Sequence, residues 1–332
     1  MSRPLVFVFP GQSSRDAGLF RRLDALSPGA GTQAQARAEA AMGRACSASF
    51  DHNLDIQCCV LAASLAWLRL AEAAGLRAQA SAGLSLGEYA HLVHIGALDE
   101  AAAMALVAAR GRCYDAGPSG AMAALFPMAA PEAQALCERV CLAQGDPQAV
   151  AVSNFNSPQQ VVVAGTQAAV DAVLEGADAE HGVLGHVIER RIPMHVVRFE
   201  PVAQALQPAL RAAPWQAPRL DYWPNVDGCA MNDVTPARLQ QSLARHVHQP
   251  VRWQQTIDAM RQRWPDAVFV EVGPLQVLSR LMARRWLPAG TVFALDTFEM
   301  ADAPGESGTS ASPAATAAWG RRVQEIHDAL AR

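Results

Sequence analysis

At 332 residues, 51% apolar and 17% charged, the chain is long enough for one large domain or two smaller ones and reads as a globular protein. Its formal net charge is −4, and no basic block is long enough to track a nucleic-acid backbone, so no nucleic-acid partner is expected. All 27 basic residues are arginine, which rules out a Schiff-base lysine, a P-loop lysine and a Ser–Lys dyad.

Leu5 to Phe9 is a short apolar run stopped by Pro10-Gly11, the pattern of a buried strand entering a loop. The N-terminal stretch has no long apolar region followed by a small-residue cleavage site, so no signal peptide is expected. Asp55 to Ala74 is dense in Ala and Leu, with Trp67 and Leu70 at helical spacing and Gly75 at its end. This predicts a core helix in which Cys58 and Cys59 pack. Ala78 to Ala82 has poor β propensity, so a strand there needs cover on both faces. A helix follows GLSLGEY through about Val93, and Asp99 to Arg112 predicts another. Strands are predicted over Ala121 to Phe126, Val150 to Ser153, Gln160 to Ala164 and Gly185 to Ile188, with helices over Pro131 to Ala143 and Thr166 to Asp178. That β-α-β-β-α-β order suggests a small ferredoxin-like α+β unit inserted in a larger domain. Val268 to Val272 is strand-like, and Gly273-Pro274 turns into a further helix.

Residues 301–316 are rich in Pro, Gly, Ser and Ala without periodicity and read as a flexible linker, with a short helix from Trp319 to Arg332. No run of 18 uninterrupted apolar residues occurs, so no membrane span is expected. The cysteines, Cys46, Cys58, Cys59, Cys113, Cys137, Cys141 and Cys229, are odd in number and form no CxxC. Neither a disulfide framework nor a zinc site is expected, and a reducing cytoplasm fits.

The chemistry centres on Gly83-Leu84-Ser85-Leu86-Gly87, a Gly-x-Ser-x-Gly match. Ser85 is either a nucleophile on a sharp strand-to-helix turn or a serine at an Ala/Gly-rich helix start. For the first reading, Gly83 and Gly87 let the turn come close to neighbouring chain, and the following helix aims its N-terminus at developing negative charge. The base must come from elsewhere. His91 and His94 lie further along the same helix and read as ordinary structural histidines. His246 and His248 alternate in ARHVHQPVRW like strand or loop residues, with no third ligand nearby, so no metal is expected. His52, His181, His186 and His327 carry no local signal. His195, in RIPMHVVRFEP, is the best candidate because it sits where the chain returns from the small insert.

Eight motifs occur in one order: FPGQ from Phe9, GLSLGEY around Ser85, ARG ending at Gly111, SNFNSPQQVVVAG from Ser153, PMH at His195, PNVDG from Pro224, QPVRW from Gln249 and EVGP from Glu271. Together they resemble the malonyl-CoA:acyl-carrier-protein acyltransferase family, which includes polyketide-synthase acyltransferase domains, over roughly residues 4 to 290. The resemblance implies an α/β fold. An α/β-hydrolase-like catalytic domain with a parallel sheet is expected over 1–122 and 192–300, and an inserted ferredoxin-like subdomain over 123–191. A linker over 301–318 and a C-terminal helix over 319–332 complete the expected layout.

The resemblance further implies that Ser85 takes the acyl group as an ester and that His195 deprotonates it and then activates the carrier-protein thiol. Gln12 and the backbone N–H of Leu86 match the oxyanion hole, Gln57 resembles a pocket glutamine, and Arg110 resembles the arginine that clamps the malonyl carboxylate. A planar guanidinium suits that task because it binds a carboxylate bidentately. At the position of His246 the family uses a backbone carbonyl to orient the catalytic histidine. The chain departs from the family at Leu84, where histidine is usual, and at Met194, where HAFH or YASH patterns accompany malonyl or methylmalonyl choice. It departs again at His246, where glutamine is frequent. Leu84 and Met194 therefore leave the acyl group open.

The leading expectation is ping-pong transfer of a malonyl or related dicarboxylyl group from coenzyme A to the phosphopantetheine thiol of an acyl carrier protein. The alternatives are an acyl-carrier-protein thioesterase that clears stalled chains and a transferase for an unusual extender such as hydroxymalonyl or aminomalonyl. A serine esterase would need an acid to orient its histidine, and Asp171, Glu175 and Asp178 lie on the insert. A non-catalytic docking module would be expected to lack Ser85 or His195. A free-standing monomer is expected, with no bound cofactor or metal and with malonyl-CoA as substrate. Arg190, Arg191, Arg284 and Arg285 are candidates for a docking face toward an acidic carrier protein.

Overall fold

A computed structural model of the chain describes residues 2–47, 49–283, 286–297 and 312–332. In chain order the strands are β1 (Leu5–Phe9), β2 (Ala80–Gly83), β3 (Ala121–Leu125), β4 (Val150–Ser157), β5 (Gln160–Gly165), β6 (His186–Glu189), β7 (Val268–Glu271) and β8 (Val292–Ala294). The helices are α1 (Leu19–Leu26), α2 (Ala30–Met42), α3 (Asn53–Ala73), α4 (Gly87–His94), α5 (Glu100–Asp115) and α6 (Ala130–Gln144). They continue with α7 (Gln167–His181), α8 (Glu200–Ala212), α9 (Pro236–His248), α10 (Trp253–Arg263), α11 (Val277–Ala283) and α12 (Pro313–Ala331). Two compact units result, one from residues 1–115, 213–222 and 261–332, the other from 116–212 and 223–260.

The first unit is built on a parallel sheet of order β2-β1-β7-β8. β1 is buried at every position, as a continuous apolar run in a parallel sheet should be. Its neighbour β2 is Ala-Ser-Ala-Gly, also buried throughout, and pairs Val6 with Ala80 through Phe9 with Gly83. Cover on both faces, not strand propensity, makes β2 a strand. α3 is the one described helix long and apolar enough to cross a membrane, but 89% of its most apolar stretch is buried inside the protein, which marks it as a core helix. α12 starts at Pro313 and not at Trp319, which shortens the expected linker. The Ser312 hydroxyl accepts from the Ala315 N–H at 3.4 Å and proline fills the first helical position, a start signal the composition of 301–318 concealed. Residues 301–311 of that linker lie outside the described residues.

The second unit holds an antiparallel sheet of order β4-β5-β3-β6 with α6 and α7 in the βαββαβ sequence of a ferredoxin-like fold. β5 alternates Val161 and Val163 into a core with Val170, Val173 and Leu136 from its two helices. Thr166 caps α7 through its hydroxyl, which accepts from the Ala169 N–H at 3.2 Å. This unit is larger than the 123–191 insert read from the sequence. Phe155 and Val251 are joined by a 2.9 Å backbone hydrogen bond, and α8 packs on α9, so residues 192–212 and 223–260 belong with the antiparallel sheet.

Candidate active site

In the first unit β1 and β2 end side by side, and both chains turn there. The Leu84 N–H donates to the Phe9 carbonyl at 3.0 Å, continuing the ladder one residue past β2. Ser85 then takes a left-handed conformation with φ of 52°, unusual for a residue with a side chain, before α4 begins. The turn is closed by N–H donation from Gly87 to the Leu84 carbonyl and from Glu88 to the Ser85 carbonyl, both at 3.0 Å. Gly87 has to be glycine, since a Cβ would sit 2.1 Å from the Phe9 carbonyl oxygen. A Cβ on Gly83 would meet the Gly87 carbonyl at 2.0 Å. This is the geometry of a nucleophile elbow.

The loop after β1 lies against that elbow. A Cβ on Gly11 would reach the Leu84 carbonyl oxygen at 3.0 Å and the Ser85 Cβ at 3.8 Å, so half-buried Gln12 enters its short 3-10 turn beside Ser85. Leu86 opens α4, and the first N–H groups of a helix have no intrahelical acceptor, so its N–H is a candidate oxyanion donor together with Gln12.

Two buried polar side chains of the same unit stand out. Arg110 on α5 and Gln57 on α3 are both fully buried. None of the Arg110 guanidinium nitrogens and neither end of the Gln57 amide has a hydrogen-bond partner among the described residues. The two helices touch backbone to backbone, because a Cβ on Gly111 would fall 2.6 Å from the Leu54 Cα. Asp115 locks this contact by accepting from the Asn53 and Leu54 N–H groups at 2.7 and 3.1 Å. Gln57 is one helical turn beyond Leu54, and Arg110 directly precedes Gly111. Native proteins rarely leave buried polar groups unpaired, and one common reason is a ligand site. The guanidinium instead lies over aromatic rings, 4.1 Å from the Tyr114 centroid and 5.5 Å from that of Tyr89. Neither tyrosine carried a role in the sequence reading. The visible signal was that Tyr114 stands four residues after Arg110, a spacing that brings side chains together on a helix.

Two histidines of α4 serve the fold. His91 and His94 are joined through Ser81, whose hydroxyl lies 2.7 and 2.8 Å from their Nδ1 atoms. Burial pushes His91 down to about 3, with the neighbouring His94 adding to the shift. Burial likewise pushes His94 down to about 4, with Arg219 adding to it. Neither is suited to act as a base near neutral pH.

His195 belongs to the second unit. It too is left-handed, with φ of 62°, and its side chain is almost completely buried. Both its N–H groups are tied to the last turn of α9: the backbone N–H donates to the Val247 carbonyl at 3.1 Å, and Nδ1 to the His246 carbonyl at 2.7 Å. A carbonyl only accepts, so Nδ1 carries the proton and Nε2 has the lone pair a base requires. The place an acid occupies in a Ser-His-Asp triad is filled here by a backbone carbonyl. His246 and His248 end helix α9 and are not strand or loop residues as their alternation suggested. The His246 ring stacks on that of His195 with centroids 4.9 Å apart, and Met194 is buried beside it in sequence.

Leu84, Ser85, Leu86, Gln12, Gln57 and Arg110 thus lie in the first unit, and Met194, His195 and His246 in the second. Of the arginines considered for docking, Arg190 and Arg191 are exposed, and Arg191 pairs with Glu189 at 3.2 Å. Arg284 and Arg285 lie outside the described residues. A groove of about 770 Å3 between α6 and β4, lined by Cys137, Cys141, Val152, Phe155 and Arg252, contains none of the candidate catalytic or acyl-binding residues. All seven cysteines are free thiols.

Comparison with known proteins gives the class of protein that carries this elbow, this buried arginine and this carbonyl-held histidine. Residues 6–286 match the acyl transferase domain family, and the chain belongs to that family: it is an acyltransferase. It is 32% identical over 291 residues to the malonyl CoA-acyl carrier protein transacylase of Escherichia coli (strain K12), covering 84% of this chain and 91% of that protein. The crystal structure of FabD from Acinetobacter baumannii superposes with a TM-score of 0.83 at 30% identity, covering 98% of this chain and all of that one. PlMCAT, a malonyl-transacylase solved in complex with the type II PKS acyl-carrier protein AntF, is 28% identical with a TM-score of 0.78. That alignment covers 88% of this chain and 95% of that one.

Proposed function

We propose that the protein transfers a malonyl or related dicarboxylyl group from coenzyme A to the phosphopantetheine thiol of an acyl carrier protein, through an ester on Ser85. The observation that carries the substrate class is Arg110. A fully buried guanidinium with no hydrogen-bond partner among the described residues is costly unless a carboxylate comes to it. A dicarboxylyl thioester brings that carboxylate at the end remote from its reacting carbonyl, and Gln57 offers a second polar contact. The names of the relatives, and the carrier protein bound to one of them, support the same reading.

In this reading Ser85 Oγ attacks the thioester carbonyl while His195 Nε2 takes its proton. The Leu86 N–H and Gln12 hold the oxyanion. Collapse of the tetrahedral intermediate breaks the C–S bond, and the departing CoA sulfur recovers the proton from His195. The carrier thiol then repeats the sequence in reverse: it loses its proton to His195, attacks the ester and returns Ser85 to the hydroxyl form. Serving one proton in both directions requires a histidine of near-neutral basicity, and a neutral carbonyl on Nδ1 orients the ring without adding charge. The free thiols fit a reducing compartment.

Intact-protein mass spectrometry after incubation with a panel of acyl-CoAs tests the proposal. A malonyl adduct that is absent in Ser85→Ala and discharged by a holo carrier protein is expected. Rapid turnover of simple acyl chains to free acid, with no malonyl adduct, would favour a thioesterase. Arg110→Ala should lower malonyl transfer about 100-fold or more while tolerance for uncharged acyl groups rises.

A further inference from the structure

We propose that Tyr114 is a positioning residue for Arg110: its ring holds the guanidinium in place while leaving the N–H edges open to a substrate carboxylate. The proposal rests on the clamp reading of Arg110.

An arginine can be held in two ways, and this chain shows both, in exposed Arg44 and in buried Arg110. Arg44 is held by an acid: its two terminal nitrogens donate to the Asp55 carboxylate at 2.8 and 2.6 Å. That arrangement uses the donors a substrate would need. Arg110 is held from the side. Its Cζ lies 4.1 Å from the Tyr114 ring centroid, within reach of the attraction between a cation and a π face. The five N–H bonds of a guanidinium lie in its own plane, so an aromatic face can hold the group without occupying them. Consistent with this, Arg110 Nε and both terminal nitrogens lack hydrogen-bond partners among the described residues.

The Tyr114 ring is itself fixed. It is fully buried, and the next residue, Asp115, is pinned to the start of α3 by its hydrogen bonds to Asn53 and Leu54. The four-residue spacing sets ring and guanidinium one helical turn apart on α5. Tyr89 approaches the same cation from α4, but at 5.5 Å it contributes less. Its buried hydroxyl has no hydrogen-bond partner among the described residues.

The test compares kcat/KM for acylation of Ser85 by malonyl-CoA with that by acetyl-CoA, which has no second carboxylate. Tyr114→Leu should lower the malonyl-to-acetyl ratio about 10-fold, chiefly through the malonyl KM. Tyr114→Phe keeps the aromatic face and should restore the ratio to within about threefold of the parent. Tyr114→Met supplies a ring-free comparison with a flexible chain if the leucine variant does not fold. Arg110→Ala is measured alongside. If it abolishes the preference while the ring-free variants retain it, the inference about Tyr114 is wrong and the clamp stands. If Arg110→Ala leaves the preference intact, the clamp reading fails first. An equal fall for both substrates in the ring-free variants would assign Tyr114 to packing alone and overturn the proposal.

Discussion

Ser85 and His195 are both left-handed residues, yet the two units hold them by opposite means. The elbow is held by exclusion: Gly83 and Gly87 pack so closely on neighbouring backbone that no side chain fits. His195 is held by attraction, through two hydrogen bonds to carbonyls at the end of α9. The first device depends on residue identity and leaves a mark in the sequence. The second depends on where a helix ends, and the backbone carbonyl it uses is the same for every amino acid.

The largest effect expected from breaking this contrast is at the histidine's chemistry. His195→Ala removes the proposed base and should slow acylation by malonyl-CoA roughly 100- to 10,000-fold, read as the rate of adduct formation on Ser85. A loss below about tenfold would mean that another group takes the proton. Next is Gly87→Ala. Its methyl would fall 2.1 Å from the Phe9 carbonyl oxygen, so β1 or the elbow must shift. A displacement of about 1 Å at a reacting group costs on the order of 100-fold, so acylation should fall by about that factor together with a lower Tm. Wild-type kinetics in a fully folded Gly87→Ala protein would show that the close packing is dispensable.

A smaller, pH-dependent effect separates the structural histidines from the proposed base. His91 and His94 stay neutral in the folded protein because burial holds them at about 3 and about 4. In the unfolded chain histidine takes a proton below about pH 6.5. Between pH 6.5 and 4 the unfolded state therefore binds more protons, and stability is full above that window and lost as the pH falls through it. The loss by pH 4.5 should be on the order of 3–5 kcal/mol, visible as a steep fall in Tm that His94→Gln makes shallower. A Tm independent of pH across that range would contradict the burial of these two rings.

The same contrast explains what was legible in the sequence. The elbow glycines, β1 and the alternating valines of β5 announce themselves because sterics and side-chain burial choose their residue types. The weak strand β2 was readable only through its neighbours, since Ala80, Ser81 and Ala82 owe their conformation to cover on both faces. The extent of the second unit was not readable, because the bond from Phe155 to Val251 is backbone to backbone. The Arg110 site lay between these extremes. The arginine could be found only through the family resemblance that the ordered motifs carry, whereas its lack of a hydrogen-bond partner among the described residues and its place over Tyr114 required the packing of α3, α4 and α5.

The smallest expected effect is the sharpest probe of the comparison. If His195 is oriented by a carbonyl, the side chain at 246 should matter little, even though its ring stacks on the histidine at 4.9 Å. His246→Gln keeps the carbonyl and the buried polar character, and acylation should change less than about fivefold, the stacking term alone being worth about 0.5–1.5 kcal/mol. The pH dependence of acylation should stay in place, because the group bonded to Nδ1 is unaltered. A proline at 247 makes the converse change: it removes a backbone donor and restricts residue 246 to extended conformations, swinging its carbonyl away. Val247→Pro should therefore cost far more than His246→Gln, although it alters no polar side chain. Equal losses in the two variants would mean that His195 is held by its stacked neighbour and not by the helix end.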